Sequence, residues 1–134
     1  MKALTIWQPW ATLIVEQWKP FEFRDWPAPR AIVGQRIVIH AAKRPLKITE
    51  LHAIIDYTLS ADGRRDGIDL RAADLLEKVW REKVSLPFSV ALGTARLGEP
   101  RGYRDKWAWP MLDIEKWPQP VPAKGAQGFW KWRA

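Results

Sequence analysis

The sequence has 134 residues, of which 47% are hydrophobic and 28% charged, a balance typical of one folded domain rather than of a disordered chain. Its 22 lysine and arginine residues outnumber its 15 acidic residues, so the formal charge is +7. Cysteine is absent, which excludes disulfides, thiolate catalysis and cysteine-ligated zinc or iron–sulfur centres.

No apolar stretch approaches the roughly 18 residues that a membrane helix needs. The apolar start of the chain is interrupted by Gln8, Pro9 and Glu16, and no small-residue cleavage site follows it. We therefore expect a mature, soluble protein of the cytoplasm that has no membrane partner. The absence of cysteine fits such a reducing compartment.

The first third of the chain predicts three strands and one helix. Ala3–Ile6 is short and apolar, as is typical of a strand, and Pro9 suits the first turn of a helix over Trp10–Gln17. The segment Phe21–Arg24 alternates, which predicts a strand with both phenylalanines on one face and both charged residues on the other. A third strand is predicted over Gln35–Ala41, because β-branched residues fill its centre.

The middle of the chain predicts two helices. Apolar residues recur at helical spacing over residues 51–59, and Thr49 is the predicted N-cap of this helix. Residues 62–67 include two glycines among charged residues, which predicts a turn or loop. Asp69 is the predicted N-cap of a further helix, whose apolar stripe includes Trp80.

The last third returns to strands. Phe88–Leu97 alternates as a long strand, and Gly93 in its middle predicts a bulge or a barrel bend. Trp107–Ile114 and Gly128–Trp132 have strand character, and the proline-rich run 118–122 separates them. Strands at both ends and helices between them predict an α+β fold, in which a small barrel or curled sheet carries helices on one side. A doubly wound parallel sheet is not expected, because strict βαβ alternation and a glycine-rich phosphate loop are missing.

Positive charge and tryptophan are concentrated in the same two parts of the chain. Residues 1–47 and 83–134 each carry a formal charge of +5, whereas residues 48–82 carry −3. Nine of the ten tryptophans lie in the two basic blocks. A nucleic-acid surface needs cations for phosphates and flat rings for unstacked bases, so this pairing favours such a surface. The alternative is that most of the indoles are core residues.

Residues 19–24 bring three chemically useful side chains together. Glu22 and Arg24 share one face of a strand, so the carboxylate can fix a guanidinium that then receives a phosphate or a carbonyl oxygen. Lys19 precedes them, and partial burial beside a like charge lowers the pKa of such an amine and frees it as a base or nucleophile. The alternative is an ordinary surface ion pair.

His40 is the other candidate for chemistry. It ends its strand shortly before Lys43 and Arg44, which suits a general acid or a hydrogen-bond donor to a base edge. The alternative is a histidine whose hydrogen bonds are made inside the fold. The second histidine, His52, is not at ligand spacing from it and no acidic cluster joins them, so we expect no metal site and no cofactor.

Taken in order, these segments resemble the ASCH domain family, which belongs to the PUA-like group of small β-barrel domains. The family's motif Gly-x-Lys-x-x-Glu-x-Arg is matched at its charged positions by Lys19, Glu22 and Arg24. The other segments that are similar to the family, in the same order, are Leu4–Ala11, Trp26, Ile39–Lys43 and Pro120–Trp130. The resemblance covers nearly the whole chain and identifies residues 1–134 as a single ASCH domain.

The resemblance implies a barrel with helices packed beside it, and a cleft between them that the motif residues line. It also implies binding of nucleic acid, mostly RNA, and some members are enzymes: ribonucleases, or amidohydrolases acting on acetylated cytidine. Three positions depart from the family: Gln17, Phe23, where asparagine is frequent, and Trp7, where a basic residue is common. Gln17 stands at the motif glycine, where a positive φ would disfavour it by roughly 1 kcal/mol. Glu22 stands where the amidohydrolases carry threonine, which argues against that activity.

The leading hypothesis is a module that binds RNA, or a modified nucleotide, in a basic cleft lined by tryptophan. DNA is also a possible partner, because charge and stacking do not distinguish the two and only contacts to the 2′-hydroxyl do. The residues expected to bind phosphates or bases are Lys19, Arg24, Trp26, His40, Lys43, Arg44 and Trp130.

Two other classes of function stay open. One is a metal-independent ribonuclease or amidohydrolase, in which Lys19 acts as base or nucleophile, Glu22 as its proton partner and Arg24 as the oxyanion donor. The other is a protein-interaction module that docks through the acidic helical block, residues 48–82.

Overall fold

The computed structural model describes residues 1–133, which form seven strands and four helices. In chain order these elements are β1 (Lys2–Ile6), α1 (Trp10–Val15), β2 (Phe21–Arg24), β3 (Arg36–Ala41), α2 (Ile48–Leu59), α3 (Ala61–Arg65), α4 (Arg71–Trp80), β4 (Val90–Leu97), β5 (Arg101–Tyr103), β6 (Lys106–Pro122) and β7 (Phe129–Lys131).

All seven strands belong to one mixed sheet. The strand order is β2-β6-β4-β3-β1-β7, and β5 pairs with β6 beside this path. Strands β1 and β3 run parallel, and the other pairs are antiparallel. The sheet curls into a half-barrel with the helices packed against it, which confirms the predicted α+β fold with flanking helices.

Gly93 marks a point where two central strands approach each other closely. The register between β4 and β6 shifts between Ala91 and Gly93, as the sequence predicted. A Cβ atom on Gly93 would lie only 2.3 Å from the carbonyl oxygen of Glu115 in β6. The absence of a side chain therefore permits this bulge, and a bulge increases the local twist that curls a sheet.

Helix α1 lies between the sheet and the other helices. Its Ile14 packs in a core with Leu4 and Trp109 of the sheet, whereas its Leu13 packs in a second core with Leu51 of α2. A helix of six residues is too short to be stable alone, so this packing on two sides maintains it. The end of α1 is consequently fixed relative to both the sheet and the helices.

The prediction of a loop over residues 62–67 is wrong, because α3 occupies most of this segment. Its helical turn begins after Ser60, whose hydroxyl oxygen accepts a hydrogen bond from the backbone N–H of Gly63 at 3.1 Å. Serine at this position satisfies one of the free N–H groups of a helix start, which offsets the poor helix propensity of glycine.

The two helix starts predicted in this region are also displaced. Thr49 is not an N-cap, because α2 already begins at Ile48 and the carboxylate of Glu50 accepts the backbone N–H of Lys47 at 3.1 Å. Asp69 does accept a backbone N–H, that of Arg71, but it stands one residue before the position that caps α4. Such shifts of one or two residues are typical of helix ends.

The proline-rich run 118–122 is the end of strand β6 and does not separate two strands as predicted. Its three prolines occupy every second position, so the missing N–H groups all fall on one edge of the strand. The register pairs Val121 with Ala91 of β4 and Pro122 with Val90. The proline-rich run is therefore extended, and its last two residues pair with β4.

Candidate functional site

A cleft of about 1100 Å³ opens between the sheet and the helices. Side chains from both ends of the chain and from its helical middle meet in it. Most of its lining is aromatic or charged: Trp7, Trp10, Lys19, Glu22, Phe23, Arg24, Asp25, Trp26, Arg44, Tyr57, Asp62, Asp66, Tyr103, Arg104, Asp105 and Lys106.

The end of α1 places Lys19 at the bottom of this cleft. Gln17 has a φ of +65°, and the backbone N–H groups of Gln17 and Trp18 bond to the carbonyl oxygens of Ile14 and Leu13. This pair of bonds is a Schellman motif, which requires a left-handed residue and is usually completed by glycine. The chain therefore keeps the conformation expected at the motif glycine, with glutamine in its place, and turns directly into β2.

We expect Gln17→Gly to raise the free energy of unfolding by about 1 kcal/mol, because glycine adopts a positive φ without the steric cost that glutamine bears. Urea denaturation measures the change. The matched control is Glu77→Gly on an exposed face of α4. There glycine is expected to lower the free energy of unfolding by about 1 kcal/mol, because it is a poor helix former. Destabilisation by both substitutions would contradict the assignment of strain to Gln17.

Lys19, Glu22 and Arg24 form one ionic network at the cleft floor. The Nζ of Lys19 lies 3.7 Å from Oε1 of Glu22, and Arg24 donates from Nε to Oε2 of Glu22 at 2.9 Å. Arg24 also donates from Nη2 to the carbonyl oxygen of Thr5 at 3.1 Å, which ties it to β1. The contact between Glu22 and Arg24 confirms the predicted pair, in which the carboxylate holds the guanidinium in place. Lys19 and Glu22 are buried, so the network is not an ordinary surface ion pair.

Lys19 is only 4% exposed, which is unusual for a lysine. Burial lowers its pKa below the ordinary value of 10.5, and the neighbouring carboxylates Glu22 and Asp66 oppose that change. The like charge of Arg24 contributes least, so the predicted lowering is confirmed but its main cause is burial. The amine also donates to the carbonyl oxygen of Phe21 and lies 4.9 Å from the ring centroid of Phe23.

Two exposed indoles form the walls of the cleft. Trp7 and Trp26 are 55% and 56% exposed, although both are large apolar side chains. The guanidinium of Arg44 lies 4.2 Å from the ring centroid of Trp7, and Glu50 accepts from Arg44 Nη2 at 2.7 Å. Arg44 is therefore held against one face of Trp7 at the mouth of the cleft.

A second network, centred on Asp66, closes the other end of the cleft. The hydroxyl groups of Tyr57 and Tyr103 both donate to this buried carboxylate, each at 2.5 Å. Burial and the charge of Asp66 raise the pKa of Tyr57 above its ordinary value, so Tyr57 stays a hydrogen-bond donor to Asp66. This network joins α2 to the β5–β6 hairpin across the cleft, and no local pattern in the sequence indicates it.

A family model of the ASCH domain matches residues 4–107 of the chain. This chain belongs to the ASCH domain family. ASCH domains have a PUA-like fold and are generally thought to bind RNA. A search of curated proteins finds no match to the chain.

The cleft of this ASCH domain is aromatic, as expected, but it is not basic. Among its lining residues five are cationic and five are acidic, so their formal charges cancel. The sequence prediction of a basic cleft is therefore wrong. Three of the five carboxylates lie within two residues of a lining cation, and the other two enter from the helical middle of the chain. The acidic lining residues are Glu22, Asp25, Asp62, Asp66 and Asp105.

The predicted site residues divide into two groups. Lys19, Glu22, Arg24, Trp26 and Arg44 all line the cleft. The residues that lie outside it are His40, Lys43 and Trp130.

His40 and Trp130 belong to the face of the sheet opposite to the one that packs against α1. His40 is 2% exposed; its Nδ1 and Nε2 pair with Thr5 Oγ1 at 3.1 Å and with the Ala123 carbonyl at 2.7 Å. Trp130 donates from Nε1 to the same Thr5 hydroxyl at 2.9 Å and packs edge-on against His40. These contacts support the alternative that His40 is a satisfied residue of the fold, and we do not place either side chain in the site.

Metal ligation has no candidate in the part of the chain that the structure describes. No group of three or more histidine, cysteine, aspartate or glutamate side chains within residues 1–133 is arranged to hold a metal ion. Within the same residues no helix is both long and apolar enough to cross a membrane.

The cleft residues that the sequence did not identify include Trp7, Tyr57, Asp66 and Tyr103. Trp7 had a usable signal, because it directly follows a strand and begins no apolar pattern, as is typical of an exposed loop residue. No sequence signal marks the Asp66 network. Asp66 is 9 residues from Tyr57 and 37 residues from Tyr103, and only the fold brings the three side chains together.

Proposed function

We propose that this ASCH domain binds single-stranded RNA and holds one unstacked base, or a modified base, in the cleft. The observation that carries the proposal is the pair of half-exposed indoles, Trp7 and Trp26, on the walls of a cleft whose floor is a fixed ionic network. The family's general association with RNA supports the same class of ligand.

Exposed indoles suit a base because a base has an apolar face of similar size. Each stack of a base on an aromatic side chain contributes about 1–3 kcal/mol to binding. Trp26 makes no ring contact with another aromatic side chain within residues 1–133, and Trp7 is 55% exposed although the guanidinium of Arg44 lies against its ring. Both rings are thus available to a ligand without rearrangement of the core.

The floor of the cleft suits the polar edge of that base. Arg24 uses Nε and Nη2 for Glu22 and Thr5, and its Nη1 bonds to no other group within residues 1–133. A guanidinium held in place by two hydrogen bonds loses little freedom when a third is made. The balanced charge of the lining favours recognition of the base itself over recognition of phosphate inside the cleft.

We further propose that residues 1–134 act as one domain in the cytoplasm. The family match ends at residue 107, but β6 pairs with β4 and β2 while β7 pairs with β1, so these later strands complete the same sheet. Ala134 lies outside the described residues. The absence of cysteine supports the reducing compartment.

Truncation of Trp26 tests the base-binding proposal. We expect Trp26→Ala to weaken binding of a short single-stranded RNA by about 5- to 150-fold, the equivalent of about 1–3 kcal/mol for one stack. Fluorescence anisotropy of a labelled RNA measures this. The control is Trp80→Ala: Trp80 is also exposed, but it lies at the end of α4 and does not line the cleft.

Equal affinity of the Trp26 and Trp80 variants would overturn the proposal. The same oligonucleotide made as DNA shows whether 2′-hydroxyl contacts contribute, because only RNA carries that group. Equal binding of both polymers would move the proposal from RNA to single-stranded nucleic acid in general.

The buried amine of Lys19 favours a second candidate, a metal-independent hydrolase of RNA or of a modified nucleoside. A lysine whose pKa is lowered by burial has a larger neutral fraction, and the neutral amine is the form that acts as a base or nucleophile. Glu22 is close enough to exchange its proton through a small movement, and Arg24 is placed to stabilise an oxyanion. Turnover by purified protein in EDTA that is lost in Lys19→Ala would establish this activity.

A further inference from the structure

The β5–β6 hairpin presents two cations on either side of one aromatic ring. In the hairpin register Tyr103 faces Lys106, and Arg101 faces Ala108. Side chains of paired residues, and of residues two apart in a strand, point to the same face of a sheet. Arg101, Tyr103 and Lys106 therefore share one face.

Within the part of the chain that the structure describes, neither of these cations has a carboxylate partner. Arg101 and Lys106 are both exposed, and within residues 1–133 neither takes part in an ion pair or in a hydrogen bond from its side chain. The guanidinium of Arg101 lies 5.1 Å from the ring centroid of Phe21, which orients it without neutralising it. By contrast, the neighbouring Arg104 lies 3.4 Å from Asp62.

Tyr103 separates the cleft from a second, smaller cavity. That cavity measures about 180 Å³ and has Arg101 and Arg65 in its lining, while Lys106 lines the main cleft on the other side. The carboxylate of Asp66 borders both spaces, but its oxygens already accept the two tyrosine hydroxyls. A strand leaving the cleft over Tyr103 would thus pass from Lys106 to Arg101.

We propose that Arg101 and Lys106 form the phosphate-binding site for the RNA strand whose base enters the cleft. This inference rests on the proposed function. The cleft lining has no net formal charge even with Lys106 counted, so attraction to a polyanion depends on cations that no carboxylate neutralises; within residues 1–133 Lys106 and Arg101 are two such cations. Exposed arginine and lysine are the residue types that bind phosphodiester oxygens, and here they stand at the exit of the cleft.

The test is the salt dependence of RNA binding by the double variant Arg101→Gln, Lys106→Gln. Affinity falls with salt, and each phosphate contact on a single strand contributes about 0.7 to the magnitude of the negative slope of log affinity against log salt. The loss of two contacts is therefore expected to make this slope shallower by about 1.4. The matched control is Lys2→Gln, Lys131→Gln. These lysines are exposed, pair across β1 and β7 and line neither cavity, and the change removes the same charge.

The outcomes separate this inference from the proposed function. A reduced slope in the hairpin variant and an unchanged slope in the control support the phosphate site. Equal slopes in the two double variants, with RNA binding still sensitive to Trp26→Ala, overturn the phosphate site alone. Absence of RNA binding by the unaltered protein overturns both. Circular dichroism of each variant identifies any loss of fold.

Discussion

Glu22→Ala is expected to lower the free energy of unfolding by about 3–5 kcal/mol, the usual cost of removing one partner from a buried ionic network. The substitution leaves two cations at the cleft floor without their shared carboxylate. Lys19 retains the carbonyl of Phe21, but Arg24 loses the acceptor of its Nε. The loss therefore arises mainly from uncompensated buried charge and only in small part from the missing side-chain volume.

Urea denaturation of Glu22→Ala measures this loss, and Glu99→Ala is its control. Glu99 also pairs with an arginine, Arg30, but both side chains are largely exposed, so little change in stability is expected there. Similar stabilities of the two variants would contradict the view that the Lys19–Glu22–Arg24 network is buried and mutually dependent.

The pH dependence of the Glu22→Ala variant provides a second readout. The pKa of Lys19 is already below 10.5 because of burial, and Glu22 is the largest influence that raises it. Without Glu22 the folded state binds this proton more weakly still, whereas the unfolded state binds it up to about pH 10.5. As pH rises toward about 10.5, the stability of the variant is therefore expected to increase more steeply than that of the unaltered protein.

Trp109→Ala is expected to destabilise the protein by about 3–5 kcal/mol, the range found when a large aromatic residue is removed from a core. Trp109 is 1% exposed and stacks on Phe129, with ring centroids 5.9 Å apart. Its Nε1 donates to the carbonyl oxygen of Trp26 at 3.0 Å, and its ring lies 5.5 Å from the guanidinium of Arg24. One core residue thus supports both the wall and the floor of the cleft.

Thermal and urea denaturation check the Trp109 prediction, with Trp80→Ala as a control of the same chemical change at an exposed position. The Trp109 variant should lose both stability and RNA affinity, whereas Trp80→Ala should change neither strongly. A stable Trp109 variant would contradict the assignment of this residue to the main core.

Local patterns in the sequence predicted much of the fold. The alternation of Phe21–Arg24 fixed which side chains share a face, and that was enough to predict the contact between Glu22 and Arg24. Gly93 marked the bulge of β4. These features depend on neighbours in sequence, where the backbone period and steric rules apply directly.

The sequence could not predict features that depend on distant residues. His40 resembled an accessible strand-end histidine, but its partners Thr5 and Ala123 are 35 and 83 residues away. Part of the charge balance of the cleft arises in the same way, because two acidic residues of the helical middle offset two of the five lining cations. Composition by block predicted a basic surface, and only the packing of α2 and α3 shows that Asp62 and Asp66 enter it.

Bases are expected to bind between the indoles of the cleft and not on those of the opposite face of the sheet, where Trp130 lies. The indole N–H signals of the ten tryptophans, followed by ¹H–¹⁵N correlation spectra during titration with a short single-stranded RNA, test it directly. We predict shifts for Trp7, Trp10 and Trp26. Shifts confined to the cluster of Trp117, Trp130 and Trp132, with no change at the cleft, would contradict base binding in the cleft.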